Sequence, residues 1–280
     1  MIKLLITDLD DTLYSWIGFF IPAFYAMVDE LSILTKQDKQ TILDEYKAIH
    51  QEKGSVEYPY ATKYLPTVKK TFPNAGDDEL NMLLNSAFHR FNSVRKQKLN
   101  LYPHVRDVLQ ELHTRGIKIV AYTESAEENG FYRLKKLGID EYFEQVYVAQ
   151  SQFSRPNHFP SSPKTTTVVG KKPNPALLTK ICSDFQISES EAVYMGDSNT
   201  KDIYMAKKAG ITAILCKHPS PENIAELYQK LVAISHWTKE DFARESTLKE
   251  ECQVQNITPD YILSDFRELL KIIDDINANT

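Results

Sequence analysis

Six short apolar runs, separated by stretches with helical periodicity, constrain this chain more than any other feature of its sequence. They occupy Lys3 to Thr7, Ile117 to Thr123, Gln145 to Ala149, Ala192 to Gly196, Thr212 to Cys216 and Tyr261 to Leu263. Helical patterns lie between several of them, at Pro103 to Arg115, Ala126 to Leu137, Pro175 to Phe185 and Lys201 to Ala209. A strand that is apolar on both faces must be covered on both faces, and the alternating helices supply that cover. The pattern predicts an α/β fold, doubly wound about a parallel sheet. With 280 residues, 42% of them hydrophobic, the chain can bury a sizeable core.

The rhythm changes over residues 16–99, where four helical stretches follow one another with no strand between them: Phe20 to Leu34, Asp38 to Gln51, Tyr60 to Thr71 and Asp77 to Lys98. This predicts an all-helical domain, 16–99, inserted into a core made of 1–15 and 100–280. Two further interruptions are expected, near 151–170, rich in Ser, Pro and Thr, and near 218–256, where Ser220-Pro221 reads as a helix start.

Composition excludes several classes of function. A net charge of -5, from 33 basic and 38 acidic residues, gives no basic surplus for nucleic acid or an anionic membrane. The glycine count, 9, and the lack of a GxGxxG or GxxxxGK[ST] pattern argue against a Gly-rich nucleotide loop. Cys182, Cys216 and Cys252 are widely spaced and suit a reducing compartment. Met1 to Ile6 is short for a signal sequence, and no apolar run is read as reaching membrane-spanning length. A soluble, cytoplasmic protein is expected.

Ligands of open α/β sheets bind beyond the carboxyl ends of the strands. Here three of those ends carry polar residues: Asp8 with Asp10 and Asp11 after the first run, Thr123 after the second, and Asp197 after AVYMG. A carboxylate at a strand tip can attack phosphorus when a cation offsets the repulsion between anions. Mg²⁺ accepts one or two carboxylates, a carbonyl and phosphate oxygens, and Asp8 and Asp197 can supply the carboxylates. Asp10, with its carbonyl toward metal and its side chain toward the leaving oxygen, can act as acid and then base.

The ordered set Asp8-Leu9-Asp10-Asp11-Thr12-Leu13, Thr123 at a strand end, Lys172-Pro173-Asn174-Pro175, and Gly196-Asp197-Ser198 with Asp202 resembles the four motifs of the haloacid dehalogenase-like (HAD) hydrolase superfamily. The resemblance implies a Rossmann-like core, with the helical insert in the position of that superfamily's C1 cap. It implies that Asp8 is the nucleophile, Asp10 the general acid and base, Thr123 a hydrogen-bond donor to the phosphoryl group, and Lys172 its charge neutraliser. It places Mg²⁺ on Asp8, the Asp10 carbonyl and Asp197, with Asp202 in or beside the metal site. The activity implied is phosphate-ester hydrolysis through an aspartyl-phosphate, on a small phosphorylated metabolite: a sugar phosphate, a phospho-acid or a nucleoside monophosphate. Phosphomutase, dehalogenase and non-catalytic scaffold roles are the alternatives, and Asp10 argues against the dehalogenase.

Asp11 is read as a turn former, since relatives often carry glycine there. Glu124, whose side chain would repel phosphate, is expected to serve substrate through its backbone NH. Lys172 is preferred to Lys171 by the Lys-Pro-x-Pro pattern. The aromatic group Tyr14, Trp16, Phe19, Phe20, Phe24 and Tyr25 is read as packing, with Tyr14 and Trp16 as substrate-pocket candidates. Tyr58, Tyr60 and Tyr64, and the basic group Arg90, Arg95, Lys96 and Lys98, are read mainly as packing and solvated surface.

Overall fold

The computed structural model describes all residues except 59, 60, 152–161, 163, 220 and 280. It divides into two compact units, one formed by Met1–Ser15, Asn100–Pro219 and Glu245–Thr280, the other by Trp16–Leu99 and Ser220–Arg244.

The first unit is built on a seven-stranded sheet. Its strands are β1 (Leu4–Thr7), β2 (Lys118–Ala126), β3 (Gln145–Ala149), β4 (Thr165–Val168), β5 (Ala192–Gly196), β6 (Thr212–Cys216) and β7 (Tyr261–Leu263). They lie in the order β4-β3-β2-β1-β5-β6-β7, and every pairing is parallel. Leu4 sits opposite Lys118 on one side and Ala192 on the other, so β1 is central. Strand order reverses between β1 and β5, and the residues after those two strands flank the reversal, where a cleft opens in such sheets.

All four β1 residues are buried, and Leu4 and Ile6 share a core cluster with Val120, Leu178, Ile181, Tyr194 and Leu215. Leu5, which points to the opposite face of the pleat, is also wholly buried. Each such Leu or Ile contributes about 1.5–3 kcal/mol by leaving water. This double-sided burial explains why LLIT shows no polar alternation and why sequence alone marks it as an interior strand.

Two departures from the sequence reading matter for the site. Strand β2 does not stop at Thr123 but runs on to Ala126, with a register shift against β3 between Tyr122 and Ala126. Strand β4, TTTV, was hidden in the Ser/Thr/Pro-rich stretch at 151–170; as an edge strand with two exposed threonines it lacks an apolar signature. Within that stretch, 152–161 and 163 lie outside the described residues, as do Tyr60 and Ser220 with its expected helix start.

The second unit is helical. Its long helix, Trp16–Thr35, buries Ile17, Phe20, Ile21, Phe24, Met27, Val28 and Leu31 at spacings of three and four. Trp16 stacks on Phe20 at 4.8 Å, Phe20 meets Phe24 at 5.9 Å, and Phe24 meets Tyr46 at 4.7 Å. This helix is long and apolar enough to cross a membrane by length and composition, which corrects the reading that no run reaches that length; half of its apolar window is buried inside the protein. Lys39–Lys53 is capped by Asp38, which accepts from the Thr41 amide at 3.0 Å, and ends at Gly54 in the left-handed conformation. The stretch expected as Tyr60 to Thr71 forms two short helices, Ala61–Tyr64 and Pro66–Thr71, because Pro66 takes a first-turn position. Asp77 to Lys98 breaks at Leu84 into Asp77–Leu83 and Asn85–Lys98. Of the two helices in the 218–256 interruption, Ile224–Ile234 belongs to this unit, where buried His50 bonds the Ile234 carbonyl at 2.8 Å.

Candidate active site

Asp8 follows β1 directly, and its amide continues the sheet by donating to the Met195 carbonyl of β5 at 2.8 Å. The backbone then turns sharply. Asp11 has φ 57, a left-handed conformation that glycine adopts without strain and aspartate tolerates, and its amide bonds the Tyr14 carbonyl at 2.9 Å. That is a turn-forming role in the backbone itself.

The structure brings Asp8, Asp197 and Asp202 together, with a carboxylate oxygen of each within 4.8 Å of the others. Lys172 Nζ lies among them, 2.5 Å from Asp8 Oδ1 and 2.8 Å from Asp202 Oδ1. Asp8 is 7% exposed, Lys172 3% and Asp202 2%, so both ion pairs are desolvated. Burial pushes the Asp8 carboxyl well above the carboxylate range; Lys172 opposes that rise, while Asp202, Asp197 and Asp10 add to it. Burial alone would lower Lys172, yet Asp202 and Asp8 together carry it well above the usual lysine range. Asp197, with an exposed side chain, is pushed up to about 7, first by lost hydration and then by Asp202 and Asp11.

Local structure fixes each member of this group. Lys172 precedes a helix that begins with Pro175 and is capped by Asn174, which accepts from the Leu177 amide at 3.2 Å. Asp202 stands in a helical turn, Asn199–Ile203, widened so that the Ile203 amide reaches back five residues to the Ser198 carbonyl at 3.1 Å. Its Oδ2 accepts from the Ser198 amide at 3.1 Å, and its Oδ1 from the Tyr194 hydroxyl at 2.8 Å. Gly196 makes room for this: a Cβ there would lie 2.4 Å from Asp202 Cγ. The Lys172 ammonium also sits over the Tyr122 and Tyr194 rings, at 5.0 and 5.7 Å.

Three carboxylates against one ammonium leave an excess of negative charge in a confined space. Their donors are hard oxygens, which fits a small divalent cation of the Mg²⁺ type.

Asp10 has different surroundings. Its Oδ2 accepts from Ser125 Oγ at 2.8 Å, from Arg133 Nη2 at 3.2 Å and, at 3.5 Å, from Thr123 Oγ1. Arg133 is 3% exposed and donates through Nε to the Tyr14 hydroxyl at 3.1 Å. Tyr14, a pocket candidate from the sequence, is wholly buried, and burial raises its phenol well above the usual value. Trp16 opens the first helix of the other unit, where its indole donates to Glu57 at 3.1 Å. Thr123 is buried and accepts from the Ser125 amide at 3.0 Å.

The side chains at the end of β2 alternate. Thr123 and Ser125 turn to Asp10, while Glu124 turns the other way, accepting from the Lys172 amide at 3.0 Å and pairing with Lys201 Nζ at 2.6 Å. Glu124 thus fixes the backbone that carries Lys172, through its side chain. Ser125, Arg133, Tyr194 and Lys201 were not singled out from the sequence. Only Ser125 had a signal, its i+2 spacing from Thr123 along a strand.

A family model described as haloacid dehalogenase-like hydrolase matches residues 2–210. The chain is 25% identical over 214 residues to a glyceraldehyde 3-phosphate phosphatase of Methanopyrus kandleri, covering 76% of this chain and 83% of that protein. It is 33% identical over 134 residues to a phosphoglycolate phosphatase of Vibrio vulnificus, covering 48% and 51%. A HAD phosphatase crystal structure from Thermococcus onnurineus shares the fold, with a TM-score of 0.53 at 18% identity over 97% of this chain and 98% of that one. The matched motifs and the seven-stranded sheet lead to one assignment: the chain belongs to the haloacid dehalogenase-like hydrolases.

Proposed function

We propose that this chain is a Mg²⁺-dependent phosphatase that hydrolyses a small phosphorylated metabolite through an aspartyl-phosphate on Asp8. The observation that carries the reading is a buried carboxylate at the tip of the central strand, paired with Lys172 within a trio of carboxylates suited to a cation. Asp8, Asp197, Asp202 and the Asp10 carbonyl would hold Mg²⁺, which supplies charge neutralisation for two anions brought together.

An Asp8 oxygen attacks phosphorus, and the bond from phosphorus to the substrate oxygen breaks. The electron pair leaves with that oxygen, which takes a proton from the Asp10 carboxyl. Asp10 then takes a proton from water, whose oxygen attacks phosphorus; the bond to Asp8 breaks, phosphate is released and the Asp8 carboxylate is restored. Lys172 favours the ionised form of Asp8 against the effect of burial and orients it, and Asp202 keeps Lys172 in place. Thr123 donates to the phosphoryl group. Most of the rate comes from such fixed electrostatics.

The names of the relatives favour a sugar phosphate or a phospho-acid over a nucleotide. Substrate choice is assigned to the helical unit, which the core motifs do not specify, with Trp16 as a candidate in it. Three buried, unbridged cysteines support a reducing, cytoplasmic setting. The test is phosphate release from a panel holding glyceraldehyde 3-phosphate, phosphoglycolate, hexose phosphates and nucleoside monophosphates, with Mg²⁺ and with EDTA. Release from a sugar phosphate or phospho-acid only with Mg²⁺ is expected; no release from any member would overturn the reading.

A further inference from the structure

We infer that Arg133 and Ser125 are positioning residues for Asp10, fixing the orientation of its carboxyl group for proton transfer. The inference rests on the phosphatase reading above.

The two oxygens of Asp10 are treated unequally. Oδ2 takes hydrogen bonds from Ser125, Arg133 and Thr123, while Oδ1 is buried and makes none. Arg133 Nη2 lies 3.1 Å from Oδ1 but without the alignment of a hydrogen bond. With its hydrogen bonds on Oδ2 and the Arg133 charge against both oxygens, the plane of the Asp10 carboxyl is fixed.

The anchor is itself held. Arg133 Nη2 donates to Ser125 Oγ at 2.5 Å, and its Nε donates to the Tyr14 hydroxyl at 3.1 Å. The guanidinium packs over the Tyr14 ring at 5.8 Å. Its helix, Gly130–Leu137, comes close to β2 because Gly130 lacks a side chain: a Cβ there would meet Ser125 Cβ and Thr123 Cγ2 at 3.3 Å. Burying an arginine is costly, and an apolar residue would fill the same space more cheaply. What the arginine adds is a rigid fork of donors that sets the angle of a carboxylate.

The two readings, positioning and mere packing, separate by leaving group. Protonation by Asp10 matters most when the departing oxygen is basic, as in phenyl phosphate, and least when it is not, as in p-nitrophenyl phosphate. Steady-state kinetics with Mg²⁺ on both substrates would be measured for the wild type and for Asp10→Asn, Ser125→Ala, Arg133→Met and Arg133→Lys. The expected result is a loss of kcat/KM, which reports the step in which the leaving group departs, in Ser125→Ala and Arg133→Met that is roughly tenfold or more larger for phenyl phosphate. Asp10→Asn should show the same selectivity, Arg133→Lys partial rescue, and Ser125→Ala in the Asp10→Asn background no further selectivity. If Arg133→Met does not fold, Ser125→Ala and Arg133→Lys carry the comparison. Equal losses on both substrates would overturn the inference while leaving the phosphatase reading intact. A wild type inactive on both substrates and on the metabolite panel would instead remove the reading beneath it.

Discussion

Asp8 and Asp10 leave the same strand two residues apart, yet their surroundings are opposite in kind. Asp8 is grouped with Asp197 and Asp202, and a single buried ammonium pairs with two of the three, an arrangement short of positive charge. Asp10 is held by a buried guanidinium and two hydroxyls, an arrangement that is already electrically satisfied. Chemically similar side chains thus acquire different work from what faces them. The first surroundings suit a cation beside the proposed nucleophile; the second suit the orienting role proposed for Arg133 and Ser125.

Substitutions around Asp8 should damage every substrate alike, unlike those around Asp10. The largest effect is expected from Asp8→Asn, nearly the same shape but not nucleophilic: a fall in kcat on the order of 10⁴-fold or more, with an unchanged circular dichroism spectrum. Lys172→Met comes next, with kcat falling by about 10²–10³-fold on phenyl and p-nitrophenyl phosphate to the same degree. Thermal melting should also reveal destabilisation, because Asp8 and Asp202 lose their shared partner. A leaving-group dependence in Lys172→Met would break the contrast.

Gly196→Ala is a steric probe of the same region. The added methyl would fall 2.4 to 2.6 Å from the Asp202 side chain, so Asp202 must move. A stability loss of about 1–3 kcal/mol by denaturant titration is expected, with weakened Mg²⁺ activation. The smallest effect is expected from Tyr194→Phe, which removes one donor from Asp202 and leaves Lys172 and the Ser198 amide in place. Its cost should be about 1 kcal/mol in stability and less than tenfold in kcat.

The same contrast separates what the sequence makes legible from what it hides. Asp8, Lys172 and the pair Asp197 and Asp202 lie far apart in the chain but converge, because each stands just past a strand or at the start of a helix in an alternating α/β pattern. Strand ends and helix starts are local features, and local features can be read. Arg133 could not be found that way. In sequence it is one basic residue in GFYRLKKL, and its burial follows from Gly130 drawing that helix against an extended, register-shifted β2. Tyr194 was hidden differently, in an apolar strand where a tyrosine reads as core although its hydroxyl reaches Asp202. In the helical unit the apolar periodicity gave the long helices, but the break at Leu84 carries no glycine or proline to announce it.

In the proposed mechanism Asp8 carries the phosphoryl group during turnover. The direct measurement is mass spectrometry of acid-quenched Asp10→Asn enzyme with p-nitrophenyl phosphate and Mg²⁺, since this leaving group departs without a proton and loss of the base should let the intermediate accumulate. Borohydride reduction of the acyl phosphate then marks its position by converting the aspartate to homoserine. Label at residue 8 is expected in Asp10→Asn and none in the Asp8→Asn, Asp10→Asn double variant. Label on another residue, or the same label in both proteins, would contradict that mechanism.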